Sequence, residues 1–293
     1  MPLADGSFAP SWNVLLDIQE MWSFPFMVNA FRAGAIVAVA AAVMGWFMVL
    51  RRQSFTGHTL SVVGFPGASG AALLGLPTTL GYFGFCVAAA LVMAGIPRSG
   101  KDSSGHESAA TGVVQAFALG LGFLFATLYR GLSDGVFALL FGTFLGVTDE
   151  QVLILFGVAV VVLGVLAVIG RPLLFASIDP AVAQAKGVAV RALSAIFLVL
   201  LGVAVAAASQ ITGSLLVFAL LVMPAASAQA VTARPVLSLI LSVVIGVAVT
   251  WLGLGVAYYS PYPIGFYVTT FAFAVFVLSK VVRSGIRRRV AIA

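Results

Sequence analysis

RALSAIFLVLLGVAVAAASQITGSLLVFALLVMPAASAQAVTAR, residues 191–234, carries no charged side chain between its two terminal arginines. An α-helix rises about 1.5 Å per residue and the hydrocarbon core of a bilayer is about 30 Å thick, so roughly 20 apolar residues make one crossing. The stretch is too long for one crossing. It reads as two, turning at the polar and helix-breaking residues Ser209 to Gly213. The runs from Arg32 to Arg51 and from His58 to Arg98 are equally free of charge, and the second turns between Gly75 and Thr79. A third turn falls at Ser260 to Pro263.

Composition agrees with that solvent. Of the 293 residues 62% are hydrophobic and 8% charged, with a mean hydropathy of +1.16. A soluble domain carries about 25% charged residues, so there is too little polar surface here to cover even one such domain. A single Cys and two His exclude a disulfide framework and a cysteine-rich metal cluster. Cys86, in an apolar run, reads as a small buried residue.

The fold class is therefore all-α, a polytopic membrane bundle. Nine helices are expected, at about 30–50, 59–76, 80–97, 109–129, 151–170, 192–209, 213–232, 236–258 and 264–282. Lys and Arg prefer the cytoplasmic side of helix ends. An outside N-terminus and a cytoplasmic C-terminus place all but Arg32 and Arg130 of the 15 Lys and Arg residues inside.

Three regions make up the chain. Residues 1–25 form an extracytoplasmic N-terminal segment with Asp5, Asp17 and Glu20 but no basic residue, unlike a secretory signal. Trp12, Leu15, Leu16 and Trp22 suit either a short interfacial helix or an unstructured tail. Residues 26–283 form a single transmembrane domain, and 284–293 a basic cytoplasmic tail that could meet anionic lipid or simply act as a stop signal. Between the fourth and fifth helices, Gly135 to Val147 is apolar but too short to cross, and is expected to be re-entrant or to lie on the outer surface.

Function is bounded first by what is missing. An ionisable residue at membrane depth marks a functional site by default. Apart from helix ends there is none; His58 stands at the start of the second helix, and the polar atoms within helices come from Ser, Thr, Tyr and Gln115. A self-powered carrier needs acids or histidines along its path, so the energy source is expected in another protein. Gly95, Gly100 and Lys101 copy the phosphate-loop spacing G-x-x-x-x-G-K, but Asp102 replaces the Mg²⁺-binding hydroxyl and no strand precedes it. The segment reads as a flexible loop. No catalytic grouping for an intramembrane hydrolase is present.

RPLLFASIDPAVAQAKGVAVR, residues 171–191, is the most informative loop. Ser177 and Asp179 offer caps, Pro180 fits a first helical turn, and Gly187 closes the run. A helix this short is marginal alone, which suggests that it rests against a partner.

Here the chain resembles the membrane-spanning subunits of ABC importers for zinc, manganese or iron. The similarity runs through AFRAGAIVAVAAAVMGWFMVLRRQSFTGHTLSVVGFPG (30–67), FALLFGTFLGVTDEQV (137–152), FASIDPAVAQAKGV (175–188), ITGSLLVFALLVMPAASA (211–228) and, more weakly, YYSPYPIGFYV (258–268). The resemblance implies a second permease copy, as a homodimer, two cytoplasmic ATPase subunits and an extracytoplasmic substrate-binding protein, with no nucleic acid. It implies no cofactor in this chain, ATP and Mg²⁺ being held by the ATPase. It also implies that 177–187 is a coupling helix, with Ile178, Asp179, Ala183 and Gly187 docking on the ATPase.

The departures concern cargo. Metal carriers of this family usually have Asp after the first Gly of the second helix and His four residues on, an oxygen and a nitrogen ligand on one face. Those positions are His58 and Val62 here, and the acid expected shortly before Pro263 is Pro261. Two readings stay open: metal carried by other groups, such as His58 with Ser61, or a chelate or non-metal cargo. Openings near Pro66, or at Met223 and Pro224, serve either. A stand-alone carrier or channel is the competing class.

Overall fold

The computed structural model describes residues 14–96, 103–128 and 146–292, and among these there is helix but no strand. The helices are α1 Val14–Ser23, α2 Pro25–Leu50, α3 Ser54–Leu73, α4 Thr78–Gly95, α5 Ser103–Leu128, α6 Asp149–Ile178, α7 Pro180–Ala185, α8 Val190–Val231, α9 Pro235–Tyr258 and α10 Ile264–Ile292. Their starts follow local chemistry. Pro opens α2, α7 and α9, where its missing N–H has no helical partner to lose. Thr148 and Gln151 exchange bonds in a capping box at the start of α6, where Asp149 and Glu150 also face the positive end of the helix dipole.

Among the described residues seven stretches are long and apolar enough to cross a bilayer: Pro25–Leu50, Thr78–Gly95, Ala109–Leu128, Asp149–Ile178, Val190–Ser214, Pro235–Tyr258 and Ile264–Ser284. The expected second and seventh helices correspond to α3 and Leu216–Val231, which fall outside that measure, α3 through its Ser, Thr and Gly content and Leu216–Val231 through its length. Both are surrounded by protein. Residues 56–71 of α3 are buried except His58, and α4, α5 and α8 pack around it. The count of nine depends on these two.

Small residues set the spacing. An added Cβ on Gly67 would overlap the carbonyl oxygen of Gly81, and one on Gly45 would overlap that of Leu221, so α3 meets α4 and α2 meets α8 backbone to backbone. Between such contacts polar side chains tie helices together: Trp46 Nε1 donates to Ser238 Oγ at 3.0 Å, Gln229 Nε2 to the Trp46 carbonyl at 2.8 Å, and Thr79 Oγ1 to Gln210 Oε1 at 2.8 Å. Cys86 is fully buried, its Sγ 3.5 Å from the Leu60 carbonyl oxygen.

Three boundaries differ from those expected. The turn at Ser209 to Gly213 shrinks to one residue, Gly213, at φ 74°, ψ 157° inside α8. Thr212 stays helical, its hydroxyl donating to the Ala208 carbonyl at 3.0 Å, and the reversal falls on Gly213, whose missing Cβ permits the positive φ. The fifth expected helix does not end near Arg171; α6 runs through Pro172 to Ile178, held to the bundle by buried Leu173 and Ala176. The last helix likewise continues to Ile292, through the segment expected as a separate tail. Trp12, most of the 135–147 segment and most of the phosphate-loop look-alike lie outside the described residues.

Candidate functional site

Two places in the bundle bring the candidate residues together with their partners. The first is around His58, one turn into α3. Its ring lies against Phe218 of α8, with centroids 4.6 Å apart and planes at 59°. Nδ1 is buried without a hydrogen-bond partner. A buried polar nitrogen left unpaired is costly, so this atom is available to a ligand. Next to it, Thr59 Oγ1 donates to Gln115 Oε1 of α5 at 3.0 Å, fixing α3 against α5.

The neighbouring candidates are arranged differently from a ready-made metal site. Ser61 is fully buried, and its hydroxyl donates to the backbone carbonyl of His58 at 2.7 Å rather than to the imidazole. Val62 is 7% exposed and offers no side-chain donor atom. Pro66 sits within α3, so the carbonyl of Val62 loses its N–H partner in the helix. Met223 and Pro224 lie more than one turn beyond Phe218; the Met223 carbonyl accepts from Ser227 Oγ at 2.7 Å, and Pro224 is buried against Gly246 of α9. Among the described residues no three of His, Cys, Asp and Glu gather as a metal site. A small cavity between α2, α6 and α8, lined by Ile36, Val37, Leu155, Val162, Ala204 and Ala208, is apolar and offers a cation nothing. Phe218 was not legible as a partner of His58, since nothing in an apolar run marks one Phe among many.

The second place is α7, a six-residue helix between the ends of α6 and α8. Asp179 caps it: Oδ1 accepts from the Val182 N–H at 3.0 Å. Its other end closes in a Schellman motif. Gly187 adopts φ 84°, the Val188 N–H reaches the Ala183 carbonyl at 3.0 Å, and the Gly187 N–H reaches that of Gln184 at 3.0 Å. Ala183 is fully buried and turns α7 inward, while Ile178 and Val182 stand 69% and 43% exposed. Six residues would not hold a helix alone. Two caps and one buried side chain hold this one, and it presents apolar side chains outward at an end of the bundle that also carries Arg51, Arg171, Lys186 and Arg191.

The chain as a whole is similar to known proteins. The profile of the ABC 3 transport family matches residues 23–283. The manganese import system permease protein ScaB of Streptococcus gordonii is 30% identical over 241 residues, 82% of this chain and 85% of that protein. The chelated iron transport system membrane protein YfeC of Yersinia pestis is 30% identical over 240 residues, 82% of this chain and 80% of that protein. The solved structure of PsaBC from Streptococcus pneumoniae in complex with Fab superposes with a TM-score of 0.80 at 27% identity, covering 91% of this chain and 95% of that one.

Proposed function

The chain belongs to the ABC 3 transport family, a multi-pass membrane protein, and from that premise we propose that it is the permease subunit of an ATP-driven importer for a divalent metal ion or metal chelate. Manganese and iron are favoured by the names of the relatives, and zinc by the wider resemblance. In this reading nine helices cross the membrane, with the N-terminus outside and the C-terminus in the cytoplasm. A second copy completes the pathway, and an extracytoplasmic binding protein delivers the cargo. ATP and Mg²⁺ are bound by a separate ATPase that docks on α7, and its closure drives alternating access.

The observation that carries the proposal is the doubly capped α7 with Val182 exposed on it and Ile178, the last residue of α6, exposed beside it. A rigid short helix transmits displacement; a loose loop would absorb it. Asp179→Ala removes the cap, and Gly187→Val forces a β-branched side chain into φ 84°. Each loss costs about 1 kcal/mol or more of local order, expected to lower ATPase co-purification about fivefold while membrane insertion stays intact. Unchanged co-purification in both variants rejects the docking role.

Buried Val62 favours a second reading, a chelate or non-metal cargo. ATPase activity of the reconstituted complex, measured against Mn²⁺, Zn²⁺, Fe²⁺ and their chelates, separates the two. Stimulation by free ions that falls in His58→Ala assigns His58 as a ligand. Stimulation by chelates alone assigns the second reading. Uptake by the purified chain in liposomes without any ATPase would overturn both and indicate a stand-alone carrier.

A further inference from the structure

Arg51, which the sequence offers only as half of a basic pair at a helix end, lies where four helices meet. It follows α2, and its guanidinium Nε donates to Gln53 Oε1 at 3.2 Å, Gln53 being the residue that precedes α3. Nη1 donates to Ser177 Oγ at 3.3 Å in the last turn of α6. Nη2 donates to Ser194 Oγ in the first turns of α8. The same guanidinium lies over the Phe197 ring, 5.4 Å from its centroid. Ser177 precedes α7 and Ser194 follows it. One side chain thus grips both flanks of α7 and the elbow between α2 and α3.

The elbow itself is short and closed. The N–H groups of Arg51, Arg52 and Gln53 donate to the carbonyls of Phe47, Val49 and Met48 at 2.9 to 3.0 Å, and Arg52 takes φ 58°. These three bonds tie the elbow to the last turn of α2. His58 stands five residues beyond Gln53 on the helix that the elbow launches.

We propose that Arg51 is a positioning residue that transmits displacement of α7 to the α2–α3 elbow and so to the helix carrying His58. The inference rests on the reading of α7 as the ATPase-docking helix. The chemistry suits a guanidinium: its planar fork can donate along several fixed directions at once and stack on an aromatic face. An ammonium on a flexible stem keeps the charge but cannot span the same acceptors. Arg51→Lys therefore preserves the topogenic charge and removes the linkage.

The test uses the purified complex of permease and ATPase in nanodiscs, with nitroxide labels on Phe55→Cys and Arg191→Cys; both native residues are exposed, and the buried thiol of Cys86 stays unlabelled. With Arg51 present, the distance distribution between the labels is expected to keep its width when ATP and vanadate are added. With Arg51→Lys it is expected to broaden by about 2 Å or more under nucleotide, the scale of helix shifts in switching proteins. Melting temperature and co-purification should stay at the parent values. The double substitution Ser177→Ala, Ser194→Ala should reproduce the broadening, and adding Arg51→Lys to it should do nothing more. Identical distributions in the two forms overturn the proposal, as does broadening already present without nucleotide or accompanied by a lower melting temperature. Absence of a co-purifying ATPase instead overturns the docking reading, and this inference falls with it.

Discussion

Helices α3 and α6 have opposite compositions for the same reason. α6 is 30 residues long and largely aliphatic, and Leu153, Phe156, Val161 and Val168 are 70%, 56%, 62% and 81% exposed in the isolated chain. α3 is rich in Gly, Ser and Thr and is buried on nearly every side. Lipid rewards apolar surface, so a helix facing lipid must be apolar. A helix surrounded by other helices gains nothing from bulk and much from close approach, so it carries small residues and hydroxyls that bond to backbone. Hydropathy alone therefore finds α6 readily and misses α3, the helix that carries His58.

That contrast can be broken most severely at glycine. Gly67→Val on α3 drives a branched side chain into the Gly81 backbone, which has no rotamer with which to yield. The expected cost is about 3 kcal/mol, visible as loss of the folded peak in detergent chromatography. Survival of the parent melting temperature would show that α3 and α4 are not in backbone contact.

A slightly smaller effect is expected from polarity on α6. Val161→Asp should cost about 2.5 kcal/mol in insertion of α6, read in a glycosylation-reporter assay, if that face meets lipid. Normal insertion would mean that the face is covered by protein. The smallest effect sharpens the contrast from the other side. Gly164 has open space around a built Cβ. Gly164→Ala should leave the melting temperature unchanged or raise stability by up to about 1 kcal/mol through helix propensity. Clear destabilisation would place a neighbour against Gly164.

What the sequence made legible follows the same division. The apolar, lipid-length helices α4 and α9 could be placed from charge-free runs and prolines, because their composition reports their solvent directly. The site could be read only in part. Asp179, Pro180 and Gly187 announce a short capped helix because capping is local chemistry, complete within ten residues. The contact of His58 with Phe218 joins residues far apart in the chain and leaves no local mark. Arg51 was readable as a topological charge, while its hydrogen bonds to Ser177 and Ser194 depend on how α6 and α8 return to the elbow. The extension of α6 past Arg171 was missed because a charge and a proline normally end a membrane helix. Here burial of Leu173 and Ala176 outweighs both.

The sole thiol of the chain has a practical consequence. Cys86 is sealed between Leu60, Gly64 and Gly202, out of reach of water-borne maleimides. The natural sequence thus already behaves as a cysteine-silent background, on which fluorophores or crosslinkers can be installed one at a time without first rebuilding the interior.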